Sequence, residues 1–395
     1  MKYNHSFSPA DILLPKSHFK EWAVVACDQY TSEPEYWEAV NQAAGDKPSA
    51  LNVILPEVYL SADNSERIEK INQNMQKYLD QKIFAEYPKS LIYVERIQSD
   101  GKCRRGIVGK IDLESYDYHT GTDAEIRATE QTVISRIPPR VEIRKNAPLE
   151  LPHVMLLFDE PDNEIFAYLD ANKASFDKAY DFELMCGAGS IKGYVLNEAA
   201  KSAVLSQLAI LKQKNNGFLF CVGDGNHSLA TAKECYNLNK TEASRYALVE
   251  VVNIHDKALE FEPIYRVVFG VNPKSLLDDF VNTLGEGEQK FTCVYGDKVQ
   301  EIGVNPTAKL AVGTLQTFLD EYIKNHPEAE IDYIHGEDSL KKLASRENAI
   351  GFIFNGMQKS ELFEAVNADG SLPRKTFSMG HADDKRFYIE ARKIK

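Results

Sequence analysis

Apolar and polar positions change rhythm repeatedly along this chain, and each change marks a candidate element. Residues 64–84 place Ile68, Ile71, Met75, Tyr78, Leu79 and Ile83 at helical spacing, which predicts a helix. Residues 91–97 and 104–111 alternate instead with a period of two around Ser99-Asp100-Gly101, the signature of a hairpin. Short apolar runs predict strands at 22–27, 153–158, 182–185, 218–222, 245–254, 291–295, 310–312, 331–334, 350–354 and near 386–391, with another extended segment starting at Glu262. Helical patterns occupy 163–180, 197–214, 273–284, 315–324 and 339–347, and another begins at Asn226 or Ser228. Asn197 is placed to cap its helix.

Helices and strands alternate only in part, which predicts a mixed α/β (α+β) protein with mixed sheets flanked by helices. At 395 residues the chain exceeds the roughly 250–300 at which one core stops growing, so two lobes are expected. The expected division is an N-terminal α+β lobe over 1–155, a central lobe over 156–270, and a C-terminal α/β portion over 271–395 packing on the central lobe. With 43% hydrophobic and 27% charged residues, the composition is that of a globular protein. A net charge of −13 argues against a general nucleic-acid binder.

No apolar run approaches the ~18 residues of a membrane span, and residues 1–7 lack a signal-peptide core. The 6 cysteines form no CxxC pair and show no zinc spacing. A reducing, cytoplasmic setting with a small-molecule partner, and neither membrane nor nucleic acid, is therefore expected. Oligomeric state is not legible.

Chemistry concentrates where the apolar run 218–222 ends in Gly223-Asp224-Gly225 and a helix begins. A helix start leaves backbone N–H groups without intrahelical partners, and an anion satisfies them. Asn226, His227, Ser228, Thr231 and Lys233 follow within the same stretch. One reading is a capped turn, since Asp, Asn and Ser are ordinary caps. The other is a ligand loop, in which the N–H groups and His227 contact phosphate oxygens. Asp224 then binds Mg²⁺ or takes the proton of an attacking hydroxyl.

Residues 127–145 carry a local charge of +3, from Arg127, Arg136, Arg140, Arg144 and Lys145 against Glu130 and Glu142. Arg136, Arg140 and Arg144 are either surface pairs with Glu142 and Glu150 or an anion clamp folded toward the His227 loop, with Arg140 the leading candidate and Arg136 beside it. Pro138-Pro139 is expected to prevent one continuous helix, so a shared helical face is not assumed. Glu130 is either a surface carboxylate or a base. Gly187-Ala-Gly-Ser-Ile-Lys-Gly193 lacks the full Walker spacing and reads as a lid or a connection. Cys27, followed by Asp28, is either a buried thiol or a Cys–His nucleophile.

Several of these segments resemble, in matching order, the bacterial and archaeal family known as domain of unknown function 1015. Ala23-Val-Val-Ala-Cys-Asp-Gln29 resembles its first strand and turn, and Glu130 with 136–144 its central charged block. Leu156-Leu-Phe-Asp-Glu-Pro161 resembles the strand and turn after that block. Asp224-Gly-Asn-His227 resembles its Asp-Gly-His-His-Arg signature, and Pro373-Arg-Lys-Thr-Phe377 its closing Pro-Lys-Ser-Thr loop. Asn226 replaces the signature's first histidine. Ser228 replaces an arginine, the natural bidentate phosphate ligand. Through the family, Asp28, Arg374, Lys375 and Thr376 join the expected ligand residues.

The strand–glycine turn–helix unit is also remotely similar to the nucleotide loop of the ParB and sulfiredoxin superfamily. Some members of that superfamily phosphorylate free serine, some reduce a sulfinic acid with ATP, and some bind CTP. That resemblance implies nucleotide binding at 223–233. The expected function is an ATP-type, Mg²⁺-assisted kinase (phosphotransferase) acting on a small hydroxylated metabolite, with Asp224, His227 and Glu130 catalytic. The alternatives are a non-catalytic nucleotide- or metabolite-binding regulator and a Cys27 hydrolase.

Overall fold

The computed structural model describes residues 3–61, 63–380 and 382–395. Met1 and Lys2, at the start of the segment read for a signal peptide, lie outside the described residues. The chain divides into two compact units, each a mixed α/β assembly. Unit 1 contains 1–128, 132–259 and 381–395, and unit 2 contains 129–131 and 260–380. This partition differs from the ranges 1–155, 156–270 and 271–395: position 155 opens a strand in the middle of the unit 1 sheet, and the chain's end returns to unit 1.

The strands of the main unit 1 sheet are β1 (Phe7–Ser8), β2 (Ile92–Ile97), β3 (Cys103–Asp112), β4 (Tyr116–Asp117) and β5 (Ile126–Ala128). Then come β6 (Met155–Phe158), β7 (Asp177–Glu183), β8 (Ser190–Val195), β9 (Phe220–Asp224) and β10 (Tyr246–Asn253). They form one ten-stranded sheet in the order β7-β8-β2-β3-β10-β6-β9-β5-β4, with β1 on β3. The β6–β10, β9–β5 and β4–β5 pairs are parallel and the other pairs antiparallel. All four residues of β6 are buried, as expected of a strand covered on both faces.

The cover comes from the helices. Those of unit 1 are α1 (Pro34–Ala44), α2 (Ser65–Asp80), α3 (Ile137–Arg144), α4 (Glu164–Asn172), α5 (Glu198–Lys214) and α6 (Asn226–Leu238). One core joins Tyr93, Ile107, Val249 and Val251 of the sheet to Phe166, Val204, Leu208 and Leu229 of α4, α5 and α6. The opposite core joins Ile92, Val94, Val108 and Leu248 to Trp37, Ile71 and Met75 of α1 and α2. The alternation along β2, β3 and β10 therefore sends neighbouring side chains into different cores.

The C-terminal segment belongs to this second core. Phe387 and Tyr388 pair with Val25 and Val24, Ala391 bridges Leu13, and Arg392 pairs with Glu150. Arg104 and Arg96 hold it from the sheet, through the carbonyls of Asp384 (2.7 Å) and Asp383 (2.8 Å).

In unit 2, β11 (Phe261–Phe269), β12 (Glu286–Tyr295), β13 (Lys298–Val304), β14 (Glu330–His335), β15 (Ala349–Ile353) and β16 (Phe377–Met379) are all antiparallel. Their order is β13-β12-β15-β11-β14, with β16 on β11. The helices are α7 (Pro273–Leu284), α8 (Ala311–Asn325), α9 (Glu337–Ala344) and α10 (Leu362–Asp369).

Four local readings need correction. The helical pattern at 163–180 stops at Asn172, because Phe176 and Tyr180 bury from the strand side of a turn and β7 begins at Asp177. The glycine-rich segment 187–193 is the turn and first part of the β7–β8 hairpin; Gly193 leaves room for the Tyr180 ring, which a Cβ would meet at 2.2 Å. Residues 310–312 open α8 rather than form a strand. Pro138 and Pro139 start α3 instead of breaking a helix, since proline in the first turn forfeits no intrahelical bond. Arg136, Arg140 and Arg144 consequently recur one turn apart.

Candidate functional site

The turn between β9 and α6 is made by Gly225, at φ 77°, a left-handed conformation that glycine adopts without strain. A Cβ there would also meet Val154 Cα at 3.0 Å and His153 Cδ2 at 3.3 Å. The turn thus rests on the segment leading into β6. As N-cap of α6, Gly225 offers no side-chain oxygen to the helix, and its own N–H donates to Asp224 Oδ1 at 2.9 Å.

The segment before α3 is stitched onto this turn. Asn226 Nδ2 donates to Thr132 Oγ1 at 3.0 Å, and the Val133 N–H donates to His227 Nε2 at 3.3 Å. A backbone N–H can only donate, so Nε2 accepts and the ring proton sits on Nδ1. Burial, reinforced by Arg140 and Arg136, lowers the His227 pKa to about 4. At neutral pH His227 is therefore uncharged, accepting at Nε2 and carrying its proton on Nδ1, with Arg136 and Arg140 nearby. It is not a base.

Three further elements converge here. From α3, Arg140 pairs with Glu57 and donates to the Arg136 carbonyl at 2.8 Å. From the C-terminal segment, Lys385 Nζ lies 3.3 Å from Asp224 Oδ2. From the turn after Val24–Val25, Asp28 Oδ2 lies 3.7 Å from His153 Nε2. Behind His153 a buried chain continues: the Cys27 N–H donates to the Tyr388 hydroxyl at 3.2 Å, and that hydroxyl and His153 Nδ1 share a hydrogen bond of 2.7 Å. Burial opposes ionisation of Asp28, but His153, the Gln29 amide and Lys385 outweigh it and hold the carboxyl below its usual range.

Asp224, Asn226, His227, Arg136, Arg140 and Asp28 are thus gathered at one end of the unit 1 sheet, with Gly223 at the end of β9, Gly225 in the turn and Ser228 in the first turn of α6. Two residues of the same stretch turn elsewhere. The Thr231 hydroxyl donates back to the His227 carbonyl at 2.7 Å, and Lys233 Nζ bonds the Leu113 carbonyl at 2.7 Å on the side facing β3 and β4. Arg144 pairs with Glu150, so it is a structural pair and not part of a clamp.

Glu130, Arg374, Lys375 and Thr376 belong to unit 2. The Thr376 N–H donates to Glu130 Oε1 at 3.2 Å, and burial raises the Glu130 pKa against the pull of that bond and of Lys375. Buried Arg266 anchors the loop through the Lys375 carbonyl at 3.0 Å and the Arg374 carbonyl at 3.2 Å. Arg374 Nε donates to the Tyr333 hydroxyl at 2.9 Å.

The surroundings of Cys27 disfavour the nucleophile reading. Burial, with Asp28 beside it, pushes its thiol up to about 12, so the reactive thiolate is absent at neutral pH. Iodoacetamide at pH 8 is expected to modify exposed Cys186 at least tenfold faster than Cys27, read by peptide mass spectrometry. Comparable rates would restore the thiol reading.

Lys385, His153, Glu57 and Tyr388 were not foreseen. Lys385 belongs to no motif, and only its place two residues before a terminal apolar strand hints at a buried role. Among the described residues no three His, Cys, Asp or Glu side chains gather as a metal site. No helix among them is long and apolar enough to cross a membrane.

Fold and site together define a mixed α/β protein with a polar constellation at a strand–glycine turn–helix junction. The chain belongs to the family described as protein of unknown function (DUF1015), whose model matches residues 8–393. No curated protein matches. Among solved structures, a free serine kinase variant in complex with ADP is similar at 11% identity and a TM-score of 0.42, over 72% of this chain and 91% of that one. A conserved hypothetical protein from Pyrococcus furiosus is similar at 13% identity and a TM-score of 0.37, over 72% and 94%. SbnI with a C-terminal truncation, from Staphylococcus aureus, is similar at 11% identity and a TM-score of 0.37, over 71% and 85%.

Proposed function

We propose that this protein binds the phosphates of a nucleotide at the start of α6 and transfers a phosphoryl group to a small hydroxylated metabolite. The observation that carries the reading is the His227 corner. An uncharged imidazole, with its proton on Nδ1, stands on an uncapped helix start beside Arg136 and Arg140. Such a corner suits an anion. Phosphoryl transfer asks mainly for positioning and charge neutralisation, which Arg140, Lys385 and the α6 N–H groups supply. Mg²⁺ is commonly held by one or two carboxylates plus substrate phosphates, and Asp224 is the carboxylate placed for that role. Asp28, backed by His153, takes the acceptor's proton.

A regulatory reading has its own support. Arg140 and Lys385 already pair with Glu57 and Asp224, so a bound anion competes for both and would loosen the pairs that hold α3 and the C-terminal segment. Nucleotide bound without release of a diphosphate would favour it.

Calorimetry with Mg²⁺ and ATP tests the proposal. A phosphate beside His227 stabilises the imidazolium and so raises its pKa from about 4. Binding then takes up protons below the ordinary histidine value of about 6.5. The expected result is binding with proton uptake at pH 6, seen as a buffer-dependent enthalpy and lost in His227→Gln. In the ligand-free protein the sign is opposite. The depressed pKa contributes stability in full above about 6.5 that fades as pH falls towards 4, and His227→Gln flattens that slope. Absence of binding at millimolar nucleotide would refute the proposal.

A further inference from the structure

We propose that the paired rings of Tyr30 and Tyr36 are a stacking platform for a nucleobase, so that the ligand is a nucleotide rather than bare polyphosphate; this rests on the phosphate reading above. Ala26 continues the antiparallel Val25–Phe387 pair, its N–H donating to the Arg386 carbonyl at 3.0 Å, before 26–29 close a turn in which the Gln29 N–H donates to the Ala26 carbonyl at 3.1 Å. At one level Asp28 faces the charge of Lys385, which pairs with Asp224. Two residues away in each segment, the Tyr30 hydroxyl donates to Asp383. The tyrosines therefore stand one short step from the phosphate corner.

The two rings are stacked, with centroids 3.6 Å apart and an angle of 12° between them, and both are partly exposed. Both hydroxyls are tethered at the rim, that of Tyr30 to Asp383 and that of Tyr36 to the Cys186 thiol. Each ring gives one face to the other, and the pair packs on the unit 1 core while staying partly exposed. Trp37 meets Tyr36 edge-on at 5.6 Å and fixes its orientation.

The backbone supports the assignment. Tyr30 lies at φ 51° and Cys186 at φ 58°, a left-handed conformation uncommon for residues with a Cβ. Both converge on this one cluster, from the turn after Val24–Val25 and from the β7–β8 turn. Strained residues held by their surroundings gather at ligand sites. A π-face accepts any base, so the platform favours nucleotides over inorganic phosphates without selecting among bases.

The test compares ATP with inorganic tripolyphosphate, each with Mg²⁺, by calorimetry. Wild type is expected to bind ATP at least tenfold more tightly. Tyr36→Leu is expected to lose that preference through a tenfold or greater loss for ATP, with tripolyphosphate affinity unchanged, and Tyr36→Phe to retain it. Tripolyphosphate binding as tight as ATP in wild type, or a preference that survives in Tyr36→Leu, would overturn the platform and leave the phosphate site standing. Failure of both probes to bind wild type would overturn both.

Discussion

Arg386→Ala is expected to cost about 3–5 kcal/mol of folding stability, measured as a lower urea midpoint with an unchanged slope. Arg386 is 4% exposed and lies between two carboxylates that are as deeply buried. Its Nε donates to Glu250 Oε2 at 2.9 Å, one terminal nitrogen to Glu390 Oε2 at 2.8 Å and the other to the Pro152 carbonyl at 2.8 Å. Glu390 also accepts the Tyr180 hydroxyl at 2.6 Å. Glu250 lies flat against Gly106, where a Cβ would come within 2.2 Å of its Oε1.

Truncation leaves Glu390 buried without its charged partner and Glu250 with only the more distant Arg104, at 3.8 Å. The large cost is that uncompensated charge, so the triple variant Arg386→Met, Glu250→Gln, Glu390→Gln is expected to recover much of the loss. A triple variant as unstable as the single one would show that packing and not charge is responsible. Lys385 is the next residue, so the single variant is also expected to weaken any anion binding at the His227 corner.

This network shows why some of the molecule was illegible in the sequence. The β2–β3 hairpin, β6, β9, β10 and the α5 cap at Asn197 follow from local rules, because neighbours within a few residues decide them. The unit boundaries do not. Residues 381–395 fold into unit 1 through pairs with Leu13, Val24, Val25 and Glu150, and no local periodicity announces partners more than two hundred positions away. Pro138-Pro139 misled for a related reason: the same dipeptide breaks a helix from within or starts one, and only the position of the first turn decides.

The site divides along the same line. The strand, αL glycine and helix start were visible because they are consecutive. His153 and Lys385 were invisible because each reaches the turn from a distant segment. Thr231 and Lys233 were overread because polar residues close in sequence need not point the same way. On α6, four and six residues beyond His227, one closes a bond within its own helix and the other faces the Leu113 carbonyl.

If the protein transfers a phosphoryl group, Asp28→Asn is expected to lower kcat by about 10²–10⁴, the usual worth of a positioned general base, while nucleotide affinity changes less than threefold. The asparagine keeps the shape and the Gln29 contact but cannot accept a proton. Asp224→Asn is expected to behave differently, weakening Mg²⁺-dependent binding through the lost carboxylate, so that KM rises along with any fall in kcat. His153→Gln separates a base from an electrostatic partner. Without the imidazole, Asp28 loses the strongest of the neighbours that hold its carboxyl low against burial, and the acidic limb of kcat against pH moves upward. Such a shift, with the rate at the pH optimum largely kept, marks His153 as a positioning residue behind Asp28. An Asp28→Asn enzyme with wild-type turnover would instead move the proton's destination to Asp224, the other carboxylate at the Gly225 turn.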